Sequence, residues 1–202
     1  MAFNDHRGKA DKFLTPVALR LPNMDPNHLS RLSLVFAFLG GLTIYLSEPA
    51  LLPFAFICIF LSSYLDALDG KVAKLHNKTT LKGDFLDHVG DRYADLFILL
   101  GISFSDYCAL WIGVFAIIGV LMTSYMGTQA QALGVGRESG GILGRSERQV
   151  ILMLFTLGQY WALMQGMSEV LGFTVLEYVM LCFAVVGNLN ALHRASNTWK
   201  GL

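Results

Sequence analysis

Charge is what this chain has least of. Asp, Glu, Lys and Arg make up 15% of 202 residues, against 54% hydrophobic and 12% aromatic. Soluble domains average roughly 25% charged residues, so the polar surface of a water-soluble globule is missing. The mean hydropathy of +0.51 agrees. Net charge is also lacking: 15 basic residues balance 15 acidic ones, which leaves no bulk electrostatic case for nucleic acid. Cysteine is scarce. Cys58, Cys108 and Cys182 are far apart with no CxxC spacing, which excludes a disulfide framework or a zinc site and leaves small buried hydrophobes. The N-terminal stretch has no apolar core of signal-peptide type and carries Arg7, Lys9, Lys12 and Arg20, so it is expected to be retained.

Apolar length is what the chain has in abundance. A spanning helix needs about 20 mostly apolar residues. Six runs meet that need, over residues 29–47, 50–73, 84–105, 107–131, 147–166 and 171–194. Residues 8–21 carry Phe13, Leu14, Val17, Ala18 and Leu21 at helical spacing among Lys9, Asp11, Lys12 and Arg20, the pattern of an amphipathic helix on a membrane surface. The expected fold is therefore an all-α integral membrane domain over residues 1–202: six transmembrane helices plus an N-terminal surface helix.

The neutral total conceals a polarised distribution. Arg7, Lys9, Lys12, Arg20 and Arg31 precede or open the first span. Lys71, Lys74, Lys78, Lys82 and Arg92 surround the second-to-third connection; Arg137, Arg145 and Arg148 fall in the fourth-to-fifth; Arg194 and Lys200 close the chain. The opposite connections, near residues 47–50, 105–107 and 167–172, hold no Lys or Arg. Basic flanks mark the cytoplasmic side, and an even span number puts both termini there. Trp111, Trp161 and Trp199 read as packing or interface anchors.

Carboxylates at a membrane edge are costly and usually functional. Asp66 and Asp69 are spaced i,i+3 at the end of the second span, and Asp87 and Asp91 are spaced i,i+4 at the start of the third. Each pair occupies one face of its helix, and the short connection lets the two faces oppose each other. Four converging carboxylates repel unless cations neutralise them. Oxygen-ligated divalent ions do so, and two of them can bridge a diphosphate. Gly70 and Gly83 beside these acids permit close ligand approach. Pairing with Lys71, Lys74, Lys82 and Arg92 as a solvated rim is the plainer explanation for any one acid, but not for four at these spacings. A cation transporter using these acids is an alternative of a different class; it predicts acids spread through membrane depth. Asp84 and Asp95 extend the same helix face, Asp84 as a solvated rim residue and Asp95 paired with a basic or hydroxyl group. His88 reads as packing or rim.

The stretch Asp66-Ala-Leu-Asp69-Gly70-Lys-Val-Ala73-Lys74, eight residues, Gly83, three residues, Asp87, three residues, Asp91 resembles the signature of the CDP-alcohol phosphotransferase family. That signature reads DxxDGxxAR, eight residues, GxxxDxxxD; Lys74 stands where the family has Arg. Lys keeps the charge but lacks the planar fork for bidentate phosphate contact. The resemblance implies transfer of a phosphatidyl-type group from a CDP-linked lipid to an alcohol, with release of CMP. It implies that Asp66, Asp69, Asp87 and Asp91 hold two magnesium or manganese ions, and that Asp91 is also the base for the acceptor hydroxyl. Gly70, Ala73, Lys74, Thr80 and Gly83 would line the CDP group with Asp66 and Asp69. Pro26-Asn27-His28-Leu29-Ser30, similar to the family's PNxxT segment, would touch the same nucleotide. A homodimer within the membrane, pairing the apolar faces of spans three and four, is implied as well.

The acceptor is addressed by Arg137, Arg145 and Arg148, three arginines on the signature's side that suit a phosphate and equally suit positive-inside flanking. The Gly144-Arg145-Ser-Glu-Arg148 run resembles the corresponding segment of family members that make phosphatidylinositol phosphate, including archaeal ones that use CDP-archaeol. It implies inositol phosphate as acceptor, bound by Arg145, Arg148, Arg194 and Ser124, with Arg137 a further candidate. Where many such enzymes have a basic segment, this chain has Gly127-Thr-Gln-Ala-Gln131. Glycerol phosphate or serine as acceptor, and CDP-diacylglycerol as donor, stay open.

Overall fold

The structure is a computed structural model that describes residues 14–136 and 144–202. Arg137 and residues 8–13 of the expected surface helix lie outside the described residues. Six long helices follow one another: α1 (Pro26–Tyr45), α2 (Leu52–Leu75), α3 (Leu81–Ser103), α4 (Leu110–Ala132), α5 (Arg145–Met164) and α6 (Val175–Gly201). A single 3-10 turn, Pro49–Leu51, leads into α2. Among the described residues there is no strand, only an isolated bridge between Val170 and Phe173.

Helix boundaries follow capping chemistry more than hydropathy. Asp25 caps α1, its carboxylate accepting from Asn27 N at 3.0 Å, and Pro26 takes the first turn, where a missing N–H costs nothing. The helix therefore begins three residues before the apolar run. Thr80 Oγ1 accepts from Gly83 N at 3.0 Å and starts α3 ahead of its acids. Glu147 Oε2 accepts from Gly144 N at 2.7 Å at the head of α5. α6 continues past the expected end at residue 194 to Gly201, because Arg194 and Lys200 end hydropathy without ending helix propensity.

Four helices are long and apolar enough to cross a membrane: Pro26–Tyr45, Pro49–Leu75, Leu110–Ala132 and Val175–Gly201. Helices α3 and α5 begin with charged residues, which dilutes their apolar content. Large apolar side chains face outward on the spanning helices, among them Phe38, Phe54, Phe60, Phe115, Ile118 and Leu189. Such a continuous apolar exterior suits lipid, not water. The chain is a multi-pass membrane protein.

Helix packing uses small residues. α4 lies along α6, and α1 contacts both α2 and α3. A Cβ built on Gly101 of α3 would meet the Gly41 carbonyl oxygen of α1 at 2.1 Å, so only glycine allows this backbone approach. Gly119 and Gly187 do the same between α4 and α6, with Thr123 Oγ1 donating to the Gly187 carbonyl at 2.7 Å. The core around them includes Ile59, Ile98, Ile112, Met180 and Phe183. Cys58 and Cys108 are buried, as expected of small hydrophobes. Cys182 is exposed instead, which is a lipid-facing position for a small apolar side chain.

Residues 14–19 are helical. Leu14 and Ala18 are buried against Leu29, Leu68 and Val72, so this segment packs on the ends of α1 and α2 as well as offering an outer face. Lys78 Nζ donates to the carbonyls of Pro22 and Met24 at 2.7 and 3.0 Å, and His76 Nε2 lies 3.0 Å from the Ala18 carbonyl. The α2–α3 connection is thereby tied to the chain preceding α1.

Candidate active site

The last turns of α2 and the first turns of α3 face each other at one end of the bundle. One carboxylate oxygen each from Asp66, Asp87 and Asp91 lies within 4.8 Å of the others. Both helices pack chiefly on α1 and touch each other only slightly, and it is at their facing ends that these acids converge. The fourth acid, Asp69, is outside that group. It is buried and accepts from Ser30 Oγ of α1 at 2.5 Å. Ser30 thus joins α1 to the signature.

The acids fit divalent metal ions. All the donors are hard oxygens, the preference of magnesium and manganese. Asp91 Oδ1 is buried and makes no aligned hydrogen bond; the positive charge beside it is that of Arg145. A side-chain cation already sits against the same acids. Arg145 Nη1 is 2.6 Å from Asp66 Oδ2 and 2.5 Å from Asp91 Oδ1, with Nη2 donating to Asp66 Oδ1 at 3.2 Å. Three acids this close need a positive partner, and here the guanidinium is one.

Beside the acids opens a cavity of about 620 Å³, within the range of small-molecule sites. Its lining includes Pro26, Asn27, Ser30, Asp69, Gly70, Ala73, Lys74, Thr80 and Gly83, nine of the expected nucleotide residues. Asp84 and Asp87 line it too. A Cβ on Gly70 would meet nothing within 4 Å, so this glycine leaves open space at the wall. Three expected nucleotide residues are not in this lining: Asp66, which lies with Asp87 and Asp91 in the acid cluster, and two residues of α1. Leu29 is buried in the small cluster with Leu14, Ala18, Leu68 and Val72, and His28 is exposed away from the lining. Both follow from helical spacing: in α1 the Asn27 and Ser30 face is the cavity face, and the intervening residues point elsewhere. Asn23, Lys78 and Thr79 line the cavity without having been expected there. They come from segments flanking helices, where no periodic pattern marks a ligand-facing position.

The arginines expected at the acceptor do not converge on one point. Arg145 lies against Asp66 and Asp91. Arg148 is buried and pairs with Asp95 at 2.7 Å, giving Asp95 the basic partner expected of it. Arg194 Nη1 donates to the Thr123 carbonyl at 2.8 Å. Ser124 accepts from Arg92 Nη1, and Arg92 Nη2 is 3.5 Å from Asp91 Oδ2. Asp91 therefore sits between two guanidinium groups, one from α5 and one from its own helix. Asp84 is exposed at the rim as expected, and His88 Nδ1 is 3.5 Å from Asp87 Oδ2.

The family profile of the CDP-alcohol phosphatidyltransferases matches residues 23–189. An archaetidylinositol phosphate synthase of Pyrococcus horikoshii is 33% identical over 132 residues, covering 65% of this chain and 69% of that protein. Phosphatidylinositol phosphate synthase of Mycobacterium tuberculosis, solved with CDP-DAG bound, superposes with a TM-score of 0.73 at 22% identity over 93% of this chain and 94% of its own. The same enzyme solved with manganese and citrate gives 0.73 at 22% identity, covering 92% and 88%. At that identity the likeness shows the fold. The profile, spanning most of the chain and every residue of the acid signature, shows more: the chain belongs to the CDP-alcohol phosphatidyltransferase family and is a transferase of substituted phosphate groups.

Proposed function

We propose that this protein transfers a phosphatidyl or archaetidyl group from a CDP-linked lipid to inositol phosphate and releases CMP. The observation that carries this reading is the contiguity of the Asp66, Asp87 and Asp91 cluster with the cavity that Asp69 and Asp87 share with Gly70, Lys74 and Ser30. A nucleotide diphosphate in that cavity lies next to the acids, and an acceptor on the far side lies next to Asp91. The names of the Pyrococcus and Mycobacterium proteins support a phosphoinositol acceptor over glycerol phosphate or serine.

Asp66, Asp69, Asp87 and Asp91 would hold magnesium or manganese ions, two in number. Bound there, divalent ions supply charge stabilisation on the diphosphate and the departing CMP. The chain's own residues do the remainder. Ser30 holds the Asp69 carboxylate, Lys74 faces the diphosphate as a point charge, and Thr80 with Gly83 shapes the cavity wall at the head of α3. Asp91 takes the proton of the acceptor hydroxyl, an oxygen base within reach of its substrate. On acceptor binding, Arg145, Ser124 and Arg194 would be drawn onto its phosphate from the separate partners they now hold. Arg148, engaged by Asp95, holds α5 in register against α3.

The sidedness of the basic residues supports six spans with the site and both termini on the cytoplasmic face. Exposed apolar side chains on α3 and α4, such as Tyr93, Leu100, Trp111 and Phe115, support a homodimer. Release of labelled CMP from CDP-archaeol or CDP-diacylglycerol with each acceptor tests the assignment. Release with inositol phosphate is expected; release with glycerol phosphate and none with inositol phosphate overturns it.

A further inference from the structure

One wall of the 620 Å³ cavity is held by a lysine outside the acid signature. Helix α2 ends at Asn77, whose φ of 54° is left-handed, and Lys78 N donates to the Ala73 carbonyl at 2.8 Å. That bond, running six residues back around a left-handed residue, is the Schellman ending of a helix, and Asn tolerates the conformation it needs. The ending fixes where the Lys78 side chain starts. From there Nζ donates to the Pro22 carbonyl at 2.7 Å and the Met24 carbonyl at 3.0 Å, 56 and 54 residues away in the chain. An ammonium has three N–H donors, so two of them are committed to backbone carbonyls. Neither carbonyl belongs to the acid cluster. The two carbonyls bracket Asn23, and Met24 is followed by Asp25, the cap of α1. Asn23, Asp25, Lys78 and Thr79 all line the cavity. Residues 22–25 belong to no helix or strand, so the ladder that orders a helical residue does not order Asn23. A free turn would have to be ordered by the ligand, at a cost in affinity; a turn tied in advance is not.

We propose that Lys78 is a positioning residue for donor recognition: by holding the Pro22 and Met24 carbonyls it sets Asn23 in the cavity wall before the CDP-linked lipid arrives. Lys78 acts through the turn, not through the diphosphate. The inference rests on the cavity being the donor's site, and it deepens the proposed function there. The end of α2 and the chain entering α1 are thereby one wall, so the site is ordered by the helix ending at Asn77 as well as by the acids.

The test uses the full chain in proteoliposomes with CDP-diacylglycerol, manganese and inositol phosphate. K78M is expected to raise the KM for CDP-diacylglycerol by about threefold to tenfold, the span of one net hydrogen bond, with kcat and the acceptor KM within about twofold of wild type. K78R, which keeps N–H donors for both carbonyls, recovers most of that loss. N23A raises the same KM, and K78M/N23A is no worse than the larger single effect, because without the Asn23 side chain Lys78 has nothing to place. Factors that multiply in the double variant, or a donor KM unchanged in K78M or in N23A, overturn the proposal. So does a fall in kcat, or an equal rise in both KM values, which marks a purely structural tie. If K78M yields no folded protein, K78Q carries the test, and a donor KM equal to wild type there overturns the proposal equally. N27A, on the same cavity wall, is assayed in parallel. An unchanged donor KM in N27A removes the cavity as the donor's site and this inference with it, whereas a raised KM in N27A beside a wild-type KM in K78M removes Lys78 alone.

Discussion

Replacing Arg148 by Met should destabilise the protein far more than replacing Arg148 and Asp95 together. Their side chains are 6% and 3% exposed and 2.7 Å apart, and they connect α5 to α3. The space beside Arg148 is a cavity of about 10 Å³ walled by Val120, Thr123, Phe183, Gly187 and Asn190. That volume admits one water at most, so solvent cannot take over the charge that a single substitution strands. Breaking a buried pair from one side costs about 3–5 kcal/mol, while exchanging both members for apolar residues of similar size is often neutral. R148M alone is therefore expected to lose about 3–5 kcal/mol, and D95L/R148M to recover most of it. Unfolding in detergent micelles, followed by helical circular dichroism at matched lipid content, reads both variants. R148M within about 0.5 kcal/mol of wild type, the range of ordinary surface substitutions, refutes the reasoning. So does a double variant no more stable than the single one. The stable double variant also separates support from chemistry: retained CMP release is expected of a residue that acts through Asp95, and loss of release in a stable double variant returns Arg148 to the acceptor.

Two further outcomes follow from the packing around the site. S30A removes the donor to buried Asp69, a hydrogen bond to a charged group worth about 1.5–3 kcal/mol, so the KM for CDP-lipid should rise about tenfold with the acceptor KM unchanged; an unaltered donor KM in steady-state assays contradicts the link. G101A places a methyl against the Gly41 carbonyl, with backbone on both sides and no flexible side chain to yield. It should cost about 1–3 kcal/mol in the same unfolding assay and reduce turnover, because α3 carries Asp87 and Asp91; wild-type stability in G101A would show that the α1–α3 approach is slack.

Legibility in the sequence varied with how strongly local chemistry constrains geometry. The six helices and their order were readable from the apolar runs, four of them long and apolar enough to cross a membrane, and their boundaries shifted by a few residues where caps such as Asp25 and Thr80 outweigh hydropathy. Asp66, Asp87 and Asp91 were readable because spacing on two antiparallel helices fixes their common face. Asp69 was readable as part of the signature, but its partner Ser30 lies 39 residues away in the chain, and only the packing of α1 on α2 reveals it. The arginines were the least legible. A basic residue at a membrane edge fits a phosphate, an acid or the positive-inside rule equally well, and tertiary pairing decides among them. Arg145 met Asp66 and Asp91, Arg148 met Asp95, and Arg92, placed with the basic residues around the second-to-third connection, turned out to flank Asp91.

The central claim is that Asp91 deprotonates an alcohol attacking a metal-bound CDP-lipid. The most direct test is acceptor-dependent CMP release by Asp91→Asn, measured beside wild type with magnesium or manganese and with EDTA. The account predicts release by wild type that EDTA abolishes, and no release by D91N although it still binds CDP-lipid. Wild-type turnover in D91N, or release indifferent to EDTA, contradicts it.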